Sequence, residues 1–197
     1  MSDWASRRQR LFRGEPLHGL VWTPAGEPEH LLLRLRLIAA LGASRFDEAV
    51  DLSDEADTNA PSVEGELDGC KIDAWRDTDD RTASVLELVI DGRYAWVPFE
   101  ALRRVRFHES PSDEGLLSVE VQYEDASPFV AGTPLLYPDS EADDRAEIRD
   151  GSATDWHAPG DGPTCALGGR VWDFDGVELS PSDIGAIELF GRRVSLL

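Results

Sequence analysis

Residues 85–104, VLELVIDGRYAWVPFEALRR, decide how this chain folds. A largely apolar run leads into Asp91-Gly92, and a run rich in aromatics leads out of it. Asp-Gly between two such runs is a strong hairpin signal, because a type I′ turn needs positive φ at both central residues. On the returning strand, alternation puts Tyr94 and Trp96 on one side and Val97 and Phe99 on the other. Pro98 has no amide donor, so it marks a strand end or a sheet edge. The adjoining FEALRR reads as a helical turn whose arginines sit near its C-terminal end, where the helix dipole favours cations.

Outward from this hairpin the same signal recurs. VEGEL and KIDAW flank Asp68-Gly69, and RVWDF and VEL flank Asp175-Gly176. Between them LLSVEVQY alternates, with Leu117, Val119, Val121 and Tyr123 opposed to Ser118, Glu120 and Gln122, the pattern of a half-buried strand. AIELF and VSLL supply one or two closing strands. The acidic segment 139–163, with its glycines and prolines, reads as loop with at most one short element.

Upstream of residue 63 the period is helical. Residues 3–13 form a short basic stretch with Trp4, Leu11 and Phe12 on one side. EHLLLRLRLIAAL is too apolar all round for a free surface helix, so neighbours must cover it, and Gly42 ends it. SRFDEAVDLSDEA comes next, with Ser44 and Asp47 at capping-box spacing and Phe46, Ala49 and Val50 as its apolar face. Two helices joined by so short a link form an antiparallel hairpin of the tetratricopeptide (TPR) kind. With no second copy, the helical hairpin must pack on the strands downstream of it. The expected fold is therefore α+β: a short helical, TPR-like region over residues 1–60, packed on a hairpin-rich antiparallel α+β domain over residues 61–197.

The 197 residues, 41% of them hydrophobic, suffice for one ordinary core. A net charge of -20 argues against a nucleic-acid partner, which would need a basic footprint. No apolar run reaches the roughly 18–20 residues that span a bilayer, and MSDWASRRQRLFRG lacks the apolar block of a signal peptide. The expectation is a soluble cytoplasmic protein without a membrane partner. Arginine is concentrated: residues 1–46 hold seven against four acids, and residues 92–110 hold four against two. Such islands suit a partner with an acidic face, the alternative being an ordinary solvated surface.

Few residues suggest chemistry. Asp77, Asp79 and Asp80 in RDTDDR, and the acids of DGSATD at 150–155, lack calcium-loop spacing and read as solvated loop carboxylates, so no metal is assigned. Cys70 and Cys165 form neither a ligand pair nor a disulfide framework and read as buried thiols. Cys165 with His157, and Asp155 or Asp161 nearby, has the residue types of a thiol hydrolase but no strand-to-helix elbow. His18, His30 and His108 are isolated and cover apolar surface or face solvent. GDGPTCALGGR fits neither phosphate-binding glycine motif. No catalytic residue and no cofactor are assigned, and the chain reads as a binding module. Its candidate contacts are Trp4, Leu11 and Phe12 on the first helix and Arg103, Arg104 and Arg106 after the aromatic hairpin.

Three blocks, in this order along the chain, resemble the ImpE/TagJ accessory proteins of bacterial type VI secretion systems, also called SciE-type virulence proteins. IDAWRDTDDR is similar to that family's Phe-Asp-Trp-Leu-Ala-Asp-Ala-Asp-Ser-Arg. VLELVIDGRYAWVPFEALRRVRF is similar to its apolar strand, Asn-Gly-Arg-Tyr-Tyr-Trp-Val-Pro-Phe and subsequent short helix. TPLLYPDSEADDRAEIRDGSATDW tracks its Arg-Tyr-Pro-Gly-Ser-Glu block and closing Thr-Glu-Trp, here Thr154, Asp155 and Trp156. The resemblance covers about residues 63–189. Asp91, Ala95 and Leu136 depart from the pattern, and the helical region is shorter than the several TPR-like units usual in the family. The resemblance implies a non-enzymatic cytoplasmic accessory protein that associates with the contractile sheath. It would engage an N-terminal helix of the small sheath subunit, TssB or VipA, in sheath assembly or in disassembly by the ClpV ATPase. The alternatives are a structural or regulatory subunit of another bacterial assembly, or a cysteine hydrolase built on Cys165 and His157.

Overall fold

The structure, a computed structural model, describes residues 3–16, 19, 21–111, 115–124 and 126–190. All three Asp-Gly pairs turn as expected: Asp68, Asp91 and Asp175 have φ of 49°, 50° and 54°, and their glycines 82°, 74° and 86°. Each joins an antiparallel pair: β1 (Gly65–Leu67) with β2 (Cys70–Ile72), β4 (Val85–Ile90) with β5 (Arg93–Pro98), and β11 (Trp172–Phe174) with β12 (Val177–Leu179). A two-residue strand, β3 (Arg76–Asp77), pairs with β11.

The first two hairpins lie at opposite ends of one eight-stranded antiparallel sheet. Between them run β6 (Leu102–Pro111), β7 (Leu116–Tyr123), β8 (Phe129–Pro134) and the closing strand β13 (Ala186–Leu189), in the order β2-β1-β13-β6-β7-β8-β4-β5. The edge beyond β5 is occupied: Trp22 donates its amide to the Tyr94 carbonyl (3.0 Å) and accepts from the Trp96 amide (2.9 Å). The Arg93 guanidinium lies 4.1 Å from the centre of the Trp22 ring, a cation–π contact that holds this cover in place.

Alternation on β4 and β5 divides the interior between the two faces of the sheet. Leu86, Leu88 and Ile90, with Ala95, Val97 and Phe99, face a cluster that includes Trp75, Trp172 and Phe174. There Trp75 stacks on Phe99 at 3.7 Å and meets Trp172 edge-on at 5.3 Å. Val85, Val89, Tyr94 and Trp96 face the other way, into a cluster with the helices α1 (Asp3–Phe12), α2 (Glu29–Gly42) and α3 (Phe46–Asn59). The apolar surplus of α2 is thereby covered by α1, α3 and the sheet.

Several expectations are corrected. Ser44 does not cap the second helix: it sits at φ 55° and its amide closes α2 on Leu41, so α3 starts at Phe46 without a side-chain cap. FEALRR is helical only as a 3₁₀ turn at Phe99–Ala101. The chain then enters β6, where Leu102, Val105 and Phe107 are buried and β7 and β13 pair on either side. Sheet pairing prevails there because a helix of one or two turns cannot offset its nucleation cost. Segment 139–163 holds a short helix, α4 (Ala146–Arg149), and β9 (Thr154–His157), which pairs with β10 (Cys165–Gly168). VSLL and His18 lie outside the described residues.

Candidate interaction site

Glu87 stands alone in the apolar run VLELVI, and alternation turns it toward the helices, where it is 0% exposed. A buried carboxylate there costs several kcal/mol unless it is paired. Arg8 of α1 supplies a fork, with Nε 2.7 Å from Oε1 and Nη2 3.0 Å from Oε2. Arg170 donates to Oε2 from the other side, and the Tyr94 hydroxyl donates to Oε1 while accepting from the Trp96 indole at 2.7 Å. Burial pushes the pKa of Glu87 up, but Arg8 and Arg170 outweigh it and bring it down to about 2.

Arg170 also pairs with Asp77 and donates to the Pro134 carbonyl. Asp77 accepts from the Tyr137 hydroxyl (2.7 Å) and the Asp79 amide (3.0 Å), and burial raises its pKa. Asp79 accepts from the Arg81 guanidinium, the Arg81 amide (2.8 Å) and the Ala166 amide (3.0 Å). RDTDDR is therefore no solvated loop: Asp77 and Asp79 are fully buried, Asp77 matched by Arg170 from far along the chain and Asp79 by Arg81 of the same block. Asp80, partly buried, accepts from the Thr164 amide at 2.6 Å.

Tyr137 is where the sequence blocks meet. Its hydroxyl lies 3.0 Å from Thr78 Oγ1, which accepts from the Trp156 indole at 3.1 Å. Ser140 donates to the Tyr137 carbonyl (2.8 Å) and accepts from the Gly168 amide (2.7 Å). RDTDDR, YPDSE and TDW are thus tied together, and Glu87 and Tyr94 join the aromatic hairpin to them through Arg170. Arg8 closes α1 onto this assembly and also donates to the Leu136 carbonyl (2.9 Å). Over it, between α1 and the YPDSE segment, opens a cleft of about 300 Å³ bounded by Trp4, Arg8 and Gln9 on one side and Tyr137, Pro138 and Asp139 on the other.

The expected contact residues separate into two groups. Trp4, Leu11 and Phe12 are buried in the helical cluster, so α1 uses its apolar face inside the chain, and only Trp4 also borders the cleft. The arginines lie on β6, four strands from β5, about 19 Å at ~4.8 Å per strand. Arg103 donates to the Leu189 carbonyl, Arg104 pairs with Glu188 at 3.1 Å, and Arg106 is exposed. The N-terminal basic island is partly internal: like Arg8, Arg34 is buried, paired with Asp57 and donating to the Asp80 carbonyl at 2.7 Å.

Other polar residues take structural places. His30 is buried, with Nδ1 2.9 Å from Ser84 Oγ and Nε2 2.8 Å from Glu100 Oε1. It neither faces solvent nor merely covers apolar surface. The ring pins the first turn of α2 to the ends of the β4–β5 hairpin, and its enclosure keeps it from any substrate. His108 is exposed on β6. Cys165 lies opposite His157 in the β9–β10 register, but burial pushes the thiol up to about 12, which removes the thiolate a nucleophile needs. Cys70, expected inside, is exposed because three-residue β2 forms the sheet edge. Asp150 caps its own turn through the Ser152 amide (2.9 Å), and Asp155 pairs with Arg145 at 2.7 Å. Among the described residues no group of His, Cys, Asp and Glu is arranged to hold a metal.

Residues 69–188, from the first Asp-Gly turn to the last strand, match the model of the ImpE protein family. The chain belongs to the ImpE family. It is 28% identical over 192 residues to the type VI secretion system accessory component TagJ of Pseudomonas aeruginosa, a match that covers 94% of this chain and 64% of that protein. This ImpE-family chain thus spans less than two thirds of the curated relative. The crystal structure of protein VPA1032 from Vibrio parahaemolyticus superimposes with a TM-score of 0.84 at 18% identity, over 96% of this chain and 71% of that one, a likeness of fold.

Proposed function

We propose that this chain is a non-enzymatic, cytoplasmic accessory subunit of a type VI secretion system. In this reading it associates with the contractile sheath by engaging an N-terminal helix of the small sheath subunit, TssB or VipA, during sheath assembly or ClpV-dependent disassembly. The observation that carries the reading is the similarity to TagJ along 94% of the chain. The raised thiol of Cys165 and the enclosed ring of His30 leave the reactive side chains without a catalytic arrangement, in keeping with a binding role. Among the described residues no helix is long and apolar enough to cross a membrane. Recognition of an amphipathic helix needs apolar anchors with a charged rim. Trp4 at the cleft and Arg103, Arg104 and Arg106 on β6 are proposed contacts, with Leu11 and Phe12 acting indirectly by holding α1 in place.

The test is a titration of the purified protein with a peptide of the small sheath subunit's N-terminal helix at two salt concentrations. Micromolar or tighter binding is expected, and weakening at high salt would implicate the arginines. Failure to bind any sheath component of its own organism would refute the assignment.

A further inference from the structure

β5 is an end strand of the eight-stranded sheet, and Tyr94, Ala95, Trp96 and Val97 along it are at most 2% exposed. A regular apolar end strand is a template for pairing with another chain. The cover over this one is a single residue deep. The two hydrogen bonds at Trp22 make one parallel bridge to Ala95, and the register ends it there. The next bonds would run from the amide of residue 24 to the Trp96 carbonyl and from the amide of residue 98 to the carbonyl of residue 24. Both residues are prolines and have no amide to give. The cover therefore depends on how Trp22 is held. Its side chain packs against the core cluster of Trp75 and Phe99 and meets Arg93. A turn fixes the chain behind it, with the Gly26 amide on the Thr23 carbonyl at 3.1 Å and the Thr23 hydroxyl on Glu27 at 3.0 Å.

The edge beneath the cover is self-complementary. Tyr94 and Trp96 turn their backbone groups outward, toward Trp22. In an antiparallel alignment centred on Ala95, Tyr94 falls opposite the partner's Trp96, and each such pair exchanges two N–H···O bonds. Two copies joined in this way would make four bonds, which is two per chain, as many as each cover makes now. Equal bonding leaves concentration to decide. A segment of the same chain competes at an effective concentration on the order of millimolar against about micromolar for a second copy, so the cover wins by roughly a thousandfold. We propose that the Trp22 segment is an edge guard: it closes β5 against antiparallel pairing with β5 of a second copy, and loosening it turns the chain into a two-fold dimer through that strand. Each copy has one β5 edge, so this pairing stops at two. The net charge of -20 acts in the same direction as the guard by setting copies against each other. The inference goes beyond the accessory role and is tested without any sheath component, so either can fail alone.

The experiment compares the full chain with Arg93→Gln, which removes the cation from the Trp22 ring at an exposed position, and with Trp22→Gly, which removes the ring itself. Should Trp22→Gly fail to fold, Trp22→Leu keeps apolar bulk without the aromatic contact and takes its place. Hydrogen exchange of the Trp96 amide, which donates to Trp22, is followed by NMR at low concentration. Mass is followed by sedimentation velocity from ~5 to ~200 µM in ~0.5 M salt, where the repulsion between copies is screened. The wild type should stay monomeric. The Trp96 amide should exchange about threefold faster in Arg93→Gln and at least about tenfold faster in Trp22→Gly, with the Leu88 amide of β4 unchanged. Trp22→Gly should pass to a dimer as concentration rises, and there the partner's Tyr94 carbonyl should protect the Trp96 amide again. A wild-type dimer, unchanged exchange at Trp96 in the variants, a Trp22 variant that stays monomeric, or a dimer in which that amide remains fast would each overturn the proposal.

Discussion

Replacing Glu87 by Gln keeps the shape of the side chain and removes the charge that holds α1 to the sheet. Glu87 lies below its ordinary pKa, brought from 4.5 to about 2 by Arg8 and Arg170 against the opposing effect of burial. At about 1.4 kcal/mol per pKa unit, the ionised form contributes roughly 3 kcal/mol at neutral pH. The range for breaking a buried pair by removing one partner, about 3–5 kcal/mol, gives the same answer independently. Glutamine makes the loss unavoidable, because its amide nitrogen would meet donors from Arg8, Arg170 or Tyr94 where a carboxylate oxygen now accepts. The assay is urea unfolding followed by tryptophan fluorescence and circular dichroism, with an unchanged m-value taken as evidence that only stability has moved. The sign with pH is set by the direction of the pKa. A folded value below the unfolded one means the stabilisation is present above pH 4.5 and is lost as pH falls toward 2. Asp77, raised by burial, acts in the opposite sense: its ionised form weakens the fold at neutral pH, and protonation relieves it. Asp77 shares Arg170 with Glu87, so its contribution does not cancel completely, but the gap between wild type and variant should be dominated by Glu87, at about 3 kcal/mol at pH 7 and narrowing below pH 4.5. A gap under about 1 kcal/mol at pH 7, or one that does not narrow down to about pH 3, would refute the reasoning.

Trp96→Ala should cost about 3–5 kcal/mol in thermal or chemical unfolding, because the ring is wholly buried under α1 and its indole supports Tyr94; loss of partner binding at unchanged Tm would show instead that it works at a surface. Gly92→Ala and Gly168→Ala both place alanine at positive φ, but a Cβ at Gly92 meets nothing while one at Gly168 collides with the Ala153 carbonyl. The first should cost about 1 kcal/mol and the second several times more, as unfolding midpoints will show. With a thiol-reactive chromophore at pH 8, one cysteine, the exposed Cys70, should react at once and Cys165 only on unfolding; prompt reaction of two thiols would contradict the burial of Cys165.

Local chemistry made much of the fold legible. The three Asp-Gly turns, the alternation of LLSVEVQY and the division of Tyr94 and Trp96 from Val97 and Phe99 are each decided within a few residues, and each is found in place. What was illegible depends on distant partners. FEALRR looks helical in isolation, but β13, more than 80 residues on, pairs with it as strand. The acids of RDTDDR look solvated because Arg170, which buries Asp77, is 93 residues away. FVAGTP, the strand β8, has no alternation of its own and takes its conformation from β7. The one local sign of the network was Glu87, a charge in the middle of an otherwise apolar strand, which demands a buried partner somewhere in the chain.

That demand explains why the three blocks that resemble ImpE proteins converge on one another. A network of buried ion pairs is weak evidence of net stability, since apolar residues of equal volume often do as well. It does impose an address. Leu11 and Phe12 could satisfy the apolar face of α1 in several rotations, but a slip of one residue turns Arg8 by about 100° and strands Glu87 and Arg170 in the core. Arg8 therefore selects one register for α1, and that register sets Trp4 and Gln9 opposite Asp139, so that the geometry of the cleft is fixed by the ion pair between Arg8 and Glu87 beneath it.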